Sequence, residues 1–213
     1  SIVATFMQGI VLGAFVQGIA VDGRSYGGGW WDWLTPFTVM CGFALLASYS
    51  LLGSSWLVMK TDGDLREAAY RFSFKMAIVT LGFAALVSLW MPFKSPVVFE
   101  RWFTFPNFWY VAPIPALTFL VAGNIFSAIK RRRDTFLYPA VICLNMLGFV
   151  GLGVGLAPYI VPHAVTIHEA AAPDVSLGFM LIGAGILLPV ILVYTGYSYY
   201  IFRGKVNAEN SYH

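Results

Sequence analysis

Long uncharged runs alternate with short polar ones along this chain. Six stretches contain no Asp, Glu, Lys or Arg: Ser1 to Val21, Trp33 to Met59, Met76 to Phe93, Trp102 to Ile129, Thr135 to His163 and Val175 to Phe202. A hydrocarbon core about 30 Å thick is crossed by roughly 20 helical residues, so all but the slightly short third stretch have length to spare. The runs are continuous and do not alternate in polarity every second residue. That favours helices over the roughly ten-residue strands of a membrane barrel. The pattern predicts an all-α protein, a polytopic transmembrane helix bundle with six spans, in which residues 1–213 form a single transmembrane helical domain.

Composition strengthens this reading. The chain is 59% hydrophobic and only 11% charged, whereas soluble domains carry roughly a quarter of charged residues. The basic residues then set an orientation. Lys60, Arg66, Arg71 and Lys75 flank the second connection, Lys130 to Arg133 fill the fourth, and Arg203 and Lys205 follow the last span. Arg24, Lys94 and Arg101 fall in the first and third connections, and the fifth, from Ala164 to Asp174, has none. Ten basic residues on one side against three on the other, alternating loop by loop, follow the positive-inside rule. Both ends of this chain are therefore predicted to be cytoplasmic. The net charge of +3 is a topology signal and gives no support to nucleic-acid binding. Cys41 and Cys143 both lie inside spans, where a thiol behaves as a small apolar group, and no disulfide or metal framework is expected. Ser1 opens directly into an apolar run with no initiator Met and no basic flank, unlike a signal peptide. The expectation is that the chain begins part-way through a longer protein.

Local chemistry adds detail. Gly9 and Gly13 are four residues apart in the first span, a spacing that lets another helix backbone approach closely. Gln8 and Gln17 in the same span read first as packing residues, with a quinone or water contact as the alternative. Trp30, Trp31 and Trp33 form an interfacial belt ahead of the second span, where Asp32 or Thr35 can cap the helix and Pro36 suits its first turn. Asp64 with Glu67 can cap the next helix, which opens along the interface from Leu65 to Lys75 and leaves at Pro92. Trp102, Phe103, Phe105, Phe108, Trp109 and Tyr110 read as a second aromatic girdle. Pro113 and Pro115 should bend the start of the fourth span, and Pro189 the interior of the sixth. Gly148, Gly151 and Gly155 share one face of the fifth span and predict a tight helix–helix contact.

Several chemistries find no residues to carry them. No Asp, Glu, Lys, Arg or His stands near the middle of a span, where pumps and ion-coupled transporters place such groups. His163 and His168 occur in the last external segment and His213 in the tail, so no histidine pair on facing helices could clamp a haem. Met40, Met59, Met146 and Met180 are expected to pack in the core. His163, His168, Glu169 and Asp174 form the polar constellation of the outer face, but a metal site needs three or four convergent ligands. Capping and turn formation explain them better, with Asp174 capping the last helix. No catalytic, cofactor-binding or metal-binding residue is expected in this chain.

At this point a family likeness emerges. The run Gln8 to Gly13, the run Trp33 to Phe37, and Tyr49 to Gly53 followed by Trp56 to Gly63 resemble subunit II of cytochrome bd-type quinol oxidases. Pro162, Thr166, Ile167, Ala170, Ala171, Leu188 to Thr195 and Phe202 to Val206 look like that family's last helix and the loop before it. The likeness covers essentially the whole chain in order. Two departures stand out. The family's N-terminal part, roughly three of about nine spans with a Gly-Phe-Asp and a Trp-Asp-Gly motif, has no counterpart, and His168-Glu169 replaces a common Trp-Asp.

The resemblance implies a subunit of a quinol:dioxygen oxidoreductase of a respiratory chain, multi-pass in a bacterial or archaeal plasma (inner) membrane. Its partner, subunit I, would carry haems b and d, oxidise quinol and reduce dioxygen to water. This chain would bear no haem, would support that partner and, as in some members, would hold a structural quinone; small accessory subunits are further candidate partners. The acidic residues that the family's proton route uses lie in the missing helices and map onto no residue here. Two other classes remain open, a multi-pass transporter subunit and a purely structural membrane-complex subunit. Against the transporter, Asn124, Asn145 and scattered hydroxyls are the mid-span polar groups, and no inverted repeat is visible.

Overall fold

The computed structural model describes residues 1–23, 25–94, 99, 109, 111–162, 164–202 and 204. Six of its helices are long or moderately long: α1 (Ile2–Gln17), α2 (Pro36–Lys60), α3 (Gly63–Lys94), α4 (Pro113–Lys130), α5 (Asp134–Leu156) and α7 (Asp174–Ile201), with the one-turn α6 (Ile167–Ala170) before the last. Two short antiparallel ribbons join them, β1 (Val21–Asp22) with β2 (Ser25–Tyr26) and β3 (Tyr159–Val161) with β4 (Val165–Thr166).

Five helices, α2 to α5 and α7, are long and apolar enough to cross a membrane, which makes this a multi-pass membrane protein. Five of the six expected spans are matched, and the first stretch forms a shorter apolar helix. Helix α1 has 16 residues, about 24 Å. It ends because Gly18 adopts φ 99, outside the helical region, and the apolar residues after it enter the β1–β2 ribbon. A similar shortening occurs at Thr135 to His163. Helix α5 stops at Leu156, and Tyr159 to Val161, equally apolar, form a strand. Pro158 has no N–H with which to continue the helix.

Helix starts mostly follow local chemistry. Thr35 caps α2: its Oγ accepts from Thr38 N at 3.3 Å while Thr38 Oγ accepts from Thr35 N at 2.9 Å, and Pro36 occupies the first turn. Pro113 and Pro115 open α4, which begins at Pro113, and first-turn positions have no N–H to lose. The expected cap at Asp174 is also revised. Pro173 is the N-cap, and Asp174 lies in the first turn, where its charge meets the positive end of the helix dipole. Helices α5 and α7 run on through Pro139 and Pro189, and α3 continues past Pro92 to Lys94.

Helices α2, α3, α4 and α5 form a ring, each touching the next and α5 returning to α2. The ring encloses Leu51 and Val58 of α2, Tyr70 and Ala77 of α3, Ile125 of α4, and Leu137 and Val141 of α5. Between apolar helices in lipid there is little hydrophobic driving force, so close packing and interhelical hydrogen bonds hold such a bundle. Ser73 Oγ donates to Ser54 Oγ at 2.8 Å across α3 and α2, and Ser48 Oγ donates to Asn145 Oδ1 at 2.6 Å across α2 and α5.

Helix α1 lies antiparallel on the outside of α2. A Cβ on Gly9 would stand 2.6 Å from Gly42 Cα, and one on Gly13 would stand 2.9 Å from Thr38 Cα. The close approach expected of these two glycines is therefore realised. The glycine face of α5, expected to pack against another helix of the bundle or against a partner subunit, is largely uncovered by the described helices of this chain: Gly148 has no neighbour within reach of a Cβ, and Gly151 meets Ile114 of α4 at 3.4 Å. The sequence spacing aligns these glycines correctly, but α4 touches the face at one point and no described helix covers the rest. Helix α7 has no buried residue. It is held near its C-terminal end, where Tyr199 packs edge-on against Trp56 at 5.8 Å and Lys60 Nζ donates to the carbonyl of Phe202 at 2.7 Å.

Candidate functional site

The densest polar cluster sits at the end of the bundle that carries most basic residues. Asp134, in the first turn of α5, accepts from Tyr70 Oη at 2.6 Å and from Arg66 at 3.1 Å. Arg66 also lies 3.5 Å from Asp62, one turn earlier. Beside them, Arg132 pairs with Glu67 at 2.8 Å and stacks over the Tyr70 ring, 4.6 Å from its centroid. The cluster thus ties the start of α3 to the α4–α5 turn through two acid–base pairs that share an aromatic ring. Asp134 is half-buried and Tyr70 buried. Both carboxylates are committed to cations, an arrangement that fixes register between helices.

Sequence reasoning did not find this cluster. It assigned Asp134 no role, and it read Glu67 with Asp64 as a helix cap. The available signal was Asp134 itself, the sole acidic residue between Glu100 and Glu169.

The outer-face constellation separates on inspection. His163 lies outside the described residues. His168 belongs to α6, where the partner of Glu169 is not a histidine but Thr166: Glu169 Oε2 accepts from Thr166 N at 2.8 Å and from Thr166 Oγ at 2.9 Å. Those bonds, the backbone one first, hold the Glu169 carboxyl below the usual glutamate range. Among the described residues no three His, Cys, Asp or Glu side chains converge as metal ligands.

The remaining candidates have structural partners or face outward. Gln17 Oε1 accepts from Thr35 Oγ at 2.8 Å, joining the end of α1 to the cap of α2, and Gln8 is exposed. Asn145 completes its bond to Ser48 by donating to the Val141 carbonyl at 2.9 Å. Met40 and Met59 are half-buried. Met146 and Met180 are 58% and 66% exposed, so the expectation that they pack in the core is wrong for this chain taken alone: both lie on faces that no described helix covers. Trp31 stacks on Trp33 with centroids 6.1 Å apart, and Trp30, Trp31 and Trp109 are exposed. Of the second girdle, residues 102–108 and 110 lie outside the described residues.

The sequence of this chain matches the model of cytochrome bd terminal oxidase subunit II over residues 1–202. The chain belongs to that family. Among its relatives are a probable cytochrome oxidase subunit 2 of Haemophilus influenzae, 24% identical over 97% of this chain, and the cytochrome bd-I ubiquinol oxidase subunit 2 of Escherichia coli K12, 24% identical over 99%. A cytochrome bd ubiquinol oxidase subunit 2 of Bacillus subtilis is 22% identical over 97% of the chain. The chain spans 64% of the length of the first two relatives and 62% of the third.

In this chain the cluster of Asp134, Arg66, Tyr70, Arg132 and Glu67 and the hydrogen-bonded Asn145 tie one helix to another. For haem the donor set is sparse: the three histidines all lie outside the middle of the spans, and among the described residues His168 sits on the one-turn α6 while Met146 and Met180 stand on α5 and α7.

Proposed function

We propose that this chain is the non-haem-bearing subunit II of a bd-type terminal quinol oxidase, its residues corresponding to the C-terminal two-thirds of the family's length. It supports a subunit I that holds haems b and d, oxidises quinol and reduces dioxygen to water in a respiratory chain. The observation that carries this reading is the family match along residues 1–202. The bonding of Asp134 to Arg66 and Tyr70 and of Ser48 to Asn145 across helices supports it, because such bonds serve structure rather than chemistry. No residue of this chain is assigned a catalytic, haem-binding or metal-binding role. A structural quinone and small accessory subunits are additional components of the proposed complex.

The same proposal includes a topology. Residues 1–213 form one transmembrane domain, α1 makes a sixth crossing against α2, and both ends face the cytoplasm of a bacterial or archaeal cell. The ten-to-three division of basic residues supports it. Labelling of an engineered Thr61→Cys by an impermeant reagent from the cytoplasmic side alone is expected; labelling from outside overturns the orientation.

The functional test is optical. Membranes from cells with and without the gene are compared by reduced-minus-oxidised absorption. Loss of the haem d signal on deletion is the expected result, and an unchanged spectrum removes the oxidase reading. The polypeptide purified without its partner should retain no stoichiometric haem. Haem retained by wild type and lost in His163→Ala or His168→Ala would refute the assignment of haem to the partner.

A further inference from the structure

At the basic end of the bundle, α3 and the C-terminal turn of α4 enclose a cleft of about 650 Å³. Arg71 and Lys75 line it from α3, Lys130 from the last turn of α4, and Arg132 from the α4–α5 connection. A second, adjoining groove shares Lys130 and adds Arg131.

The charges of this cleft are not neutralised within the chain. The ion pairs among the described residues use Arg66 and Arg132; Arg71, Lys75 and Lys130 have no carboxylate partner there. Arg71 and Lys75 are one helical turn apart, a spacing at which like charges destabilise a helix. The nearby acids, Glu67 and Asp134, are already held by Arg132 and by Arg66 with Tyr70. These three cations are therefore free to receive an anion.

The walls specify which kind. Phe72 and Phe74 line the same cleft and are 47% and 46% exposed. Phe74 packs edge-on against Phe126 of α4, centroids 5.8 Å apart, and so forms an apolar floor between the helices. A free phosphate would satisfy the cations and leave these rings uncovered. A phospholipid supplies both a phosphate and the glycerol and first acyl carbons that would cover them. Basic pockets between spanning helices at the membrane surface suit anionic headgroups for this reason.

We infer that the α3–α4 cleft is a binding site for one anionic phospholipid, its phosphate between Arg71, Lys75 and Lys130 and its acyl stems over Phe72 and Phe74. This site is independent of the oxidase reading, because it rests on the cleft alone.

The test uses the full-length protein extracted from its own membrane with all the chains that accompany it. The protein is exchanged into nanodiscs of phosphatidylcholine mixed with phosphatidylglycerol, re-extracted in mild detergent, and the retained lipid is identified by native mass spectrometry. Wild type is expected to retain one phosphatidylglycerol in preference to phosphatidylcholine. An Arg71→Gln, Lys130→Gln double variant should bind it roughly 30-fold more weakly, the effect of removing two interfacial cations. Lys75→Gln alone should show a smaller loss in the same direction. Arg133→Gln, which lies over the Phe136 ring outside the cleft, should leave retention unchanged.

Equal retention of the two lipids overturns the inference. So does an equal loss in Arg133→Gln, which would mean a diffuse field, or complete displacement by millimolar inorganic phosphate, which would mean a free-anion site. Density for another polypeptide across the cleft would likewise exclude the lipid.

Discussion

Helices α1 and α7 are both rich in glycine, yet they relate to the rest of the molecule in opposite ways. On α1, Gly9 and Gly13 bring the backbone of α2 so near that an added methyl would collide with Gly42, Cys41 or Thr38. On α7, Gly178, Gly183, Gly185 and Gly196 face open space, and no residue of the helix is buried. The difference shows that glycine content does not by itself report packing in a membrane helix. What matters is whether a second surface stands opposite, and in lipid that surface must offer complementary shape because there is little solvent to expel.

The largest effect is expected at the α1–α2 seam. Gly9→Leu forces a side chain into backbone atoms of α2, and overpacking of a filled contact costs about 1–3 kcal/mol or more. Thermal unfolding of the full-length protein in detergent should show a clear drop; an unchanged midpoint would mean that α1 can slide away from α2 freely.

Next comes the cluster that fastens the ring. Asp134→Ala leaves Tyr70 Oη and Arg66 without their shared acceptor, and stranding such partly buried groups costs about 1–3 kcal/mol. The same melting experiment checks it, and Asp134→Asn, which keeps an acceptor for Tyr70, should recover part of the loss.

Smaller still is the bond between α2 and α5. A double-mutant cycle on Ser48→Ala and Asn145→Leu is expected to give a coupling of about 0.6 kcal/mol, the usual scale for interhelical hydrogen bonds in membranes. A coupling of zero would show the pair to be incidental.

The counterpart to Gly9 is Gly185→Leu on α7. Within this chain it meets nothing, so its effect should stay within about 0.5 kcal/mol. A loss as large as that of Gly9→Leu would mean that another polypeptide covers α7 and would erase the contrast between the two helices.

Least of all, the one-turn α6 should respond to pH. Glu169 is held below its ordinary value by the N–H and hydroxyl of Thr166, so its cap is fully formed above the usual glutamate range. The cap is lost as pH falls through the lowered value. The hydrogen-exchange protection of the Thr166 amide should decline on acidification; constant protection would show that the turn holds without its carboxylate.

How much of this was legible in the sequence depends on the kind of statement. The order of the apolar segments and five of the six expected spans followed from length and charge, and Thr35 with Pro36 announced the start of α2 through chemistry contained in four residues. The α1–α2 seam was legible because Gly9 and Gly13 sit one turn apart. The same reasoning did not say what lies opposite Gly148, Gly151 and Gly155, since helical spacing aligns residues on a face but does not name the neighbour. Boundaries failed where apolarity continued through a change of backbone, as at Tyr159 to Val161. The Asp134 cluster was hidden because its partners Arg66 and Tyr70 are more than sixty residues away in the chain, and no local pattern encodes that meeting.

Pro189 gives α7 an unusual property. Because proline brings no N–H, the carbonyl of Gly185 is deprived of its helical donor. In bare hydrocarbon that oxygen would vibrate as an isolated amide carbonyl, and beside water or a donor from another chain its stretch would move to lower frequency. An isotope-edited infrared band at Gly185 therefore turns a single backbone oxygen into a probe of what surrounds the last helix.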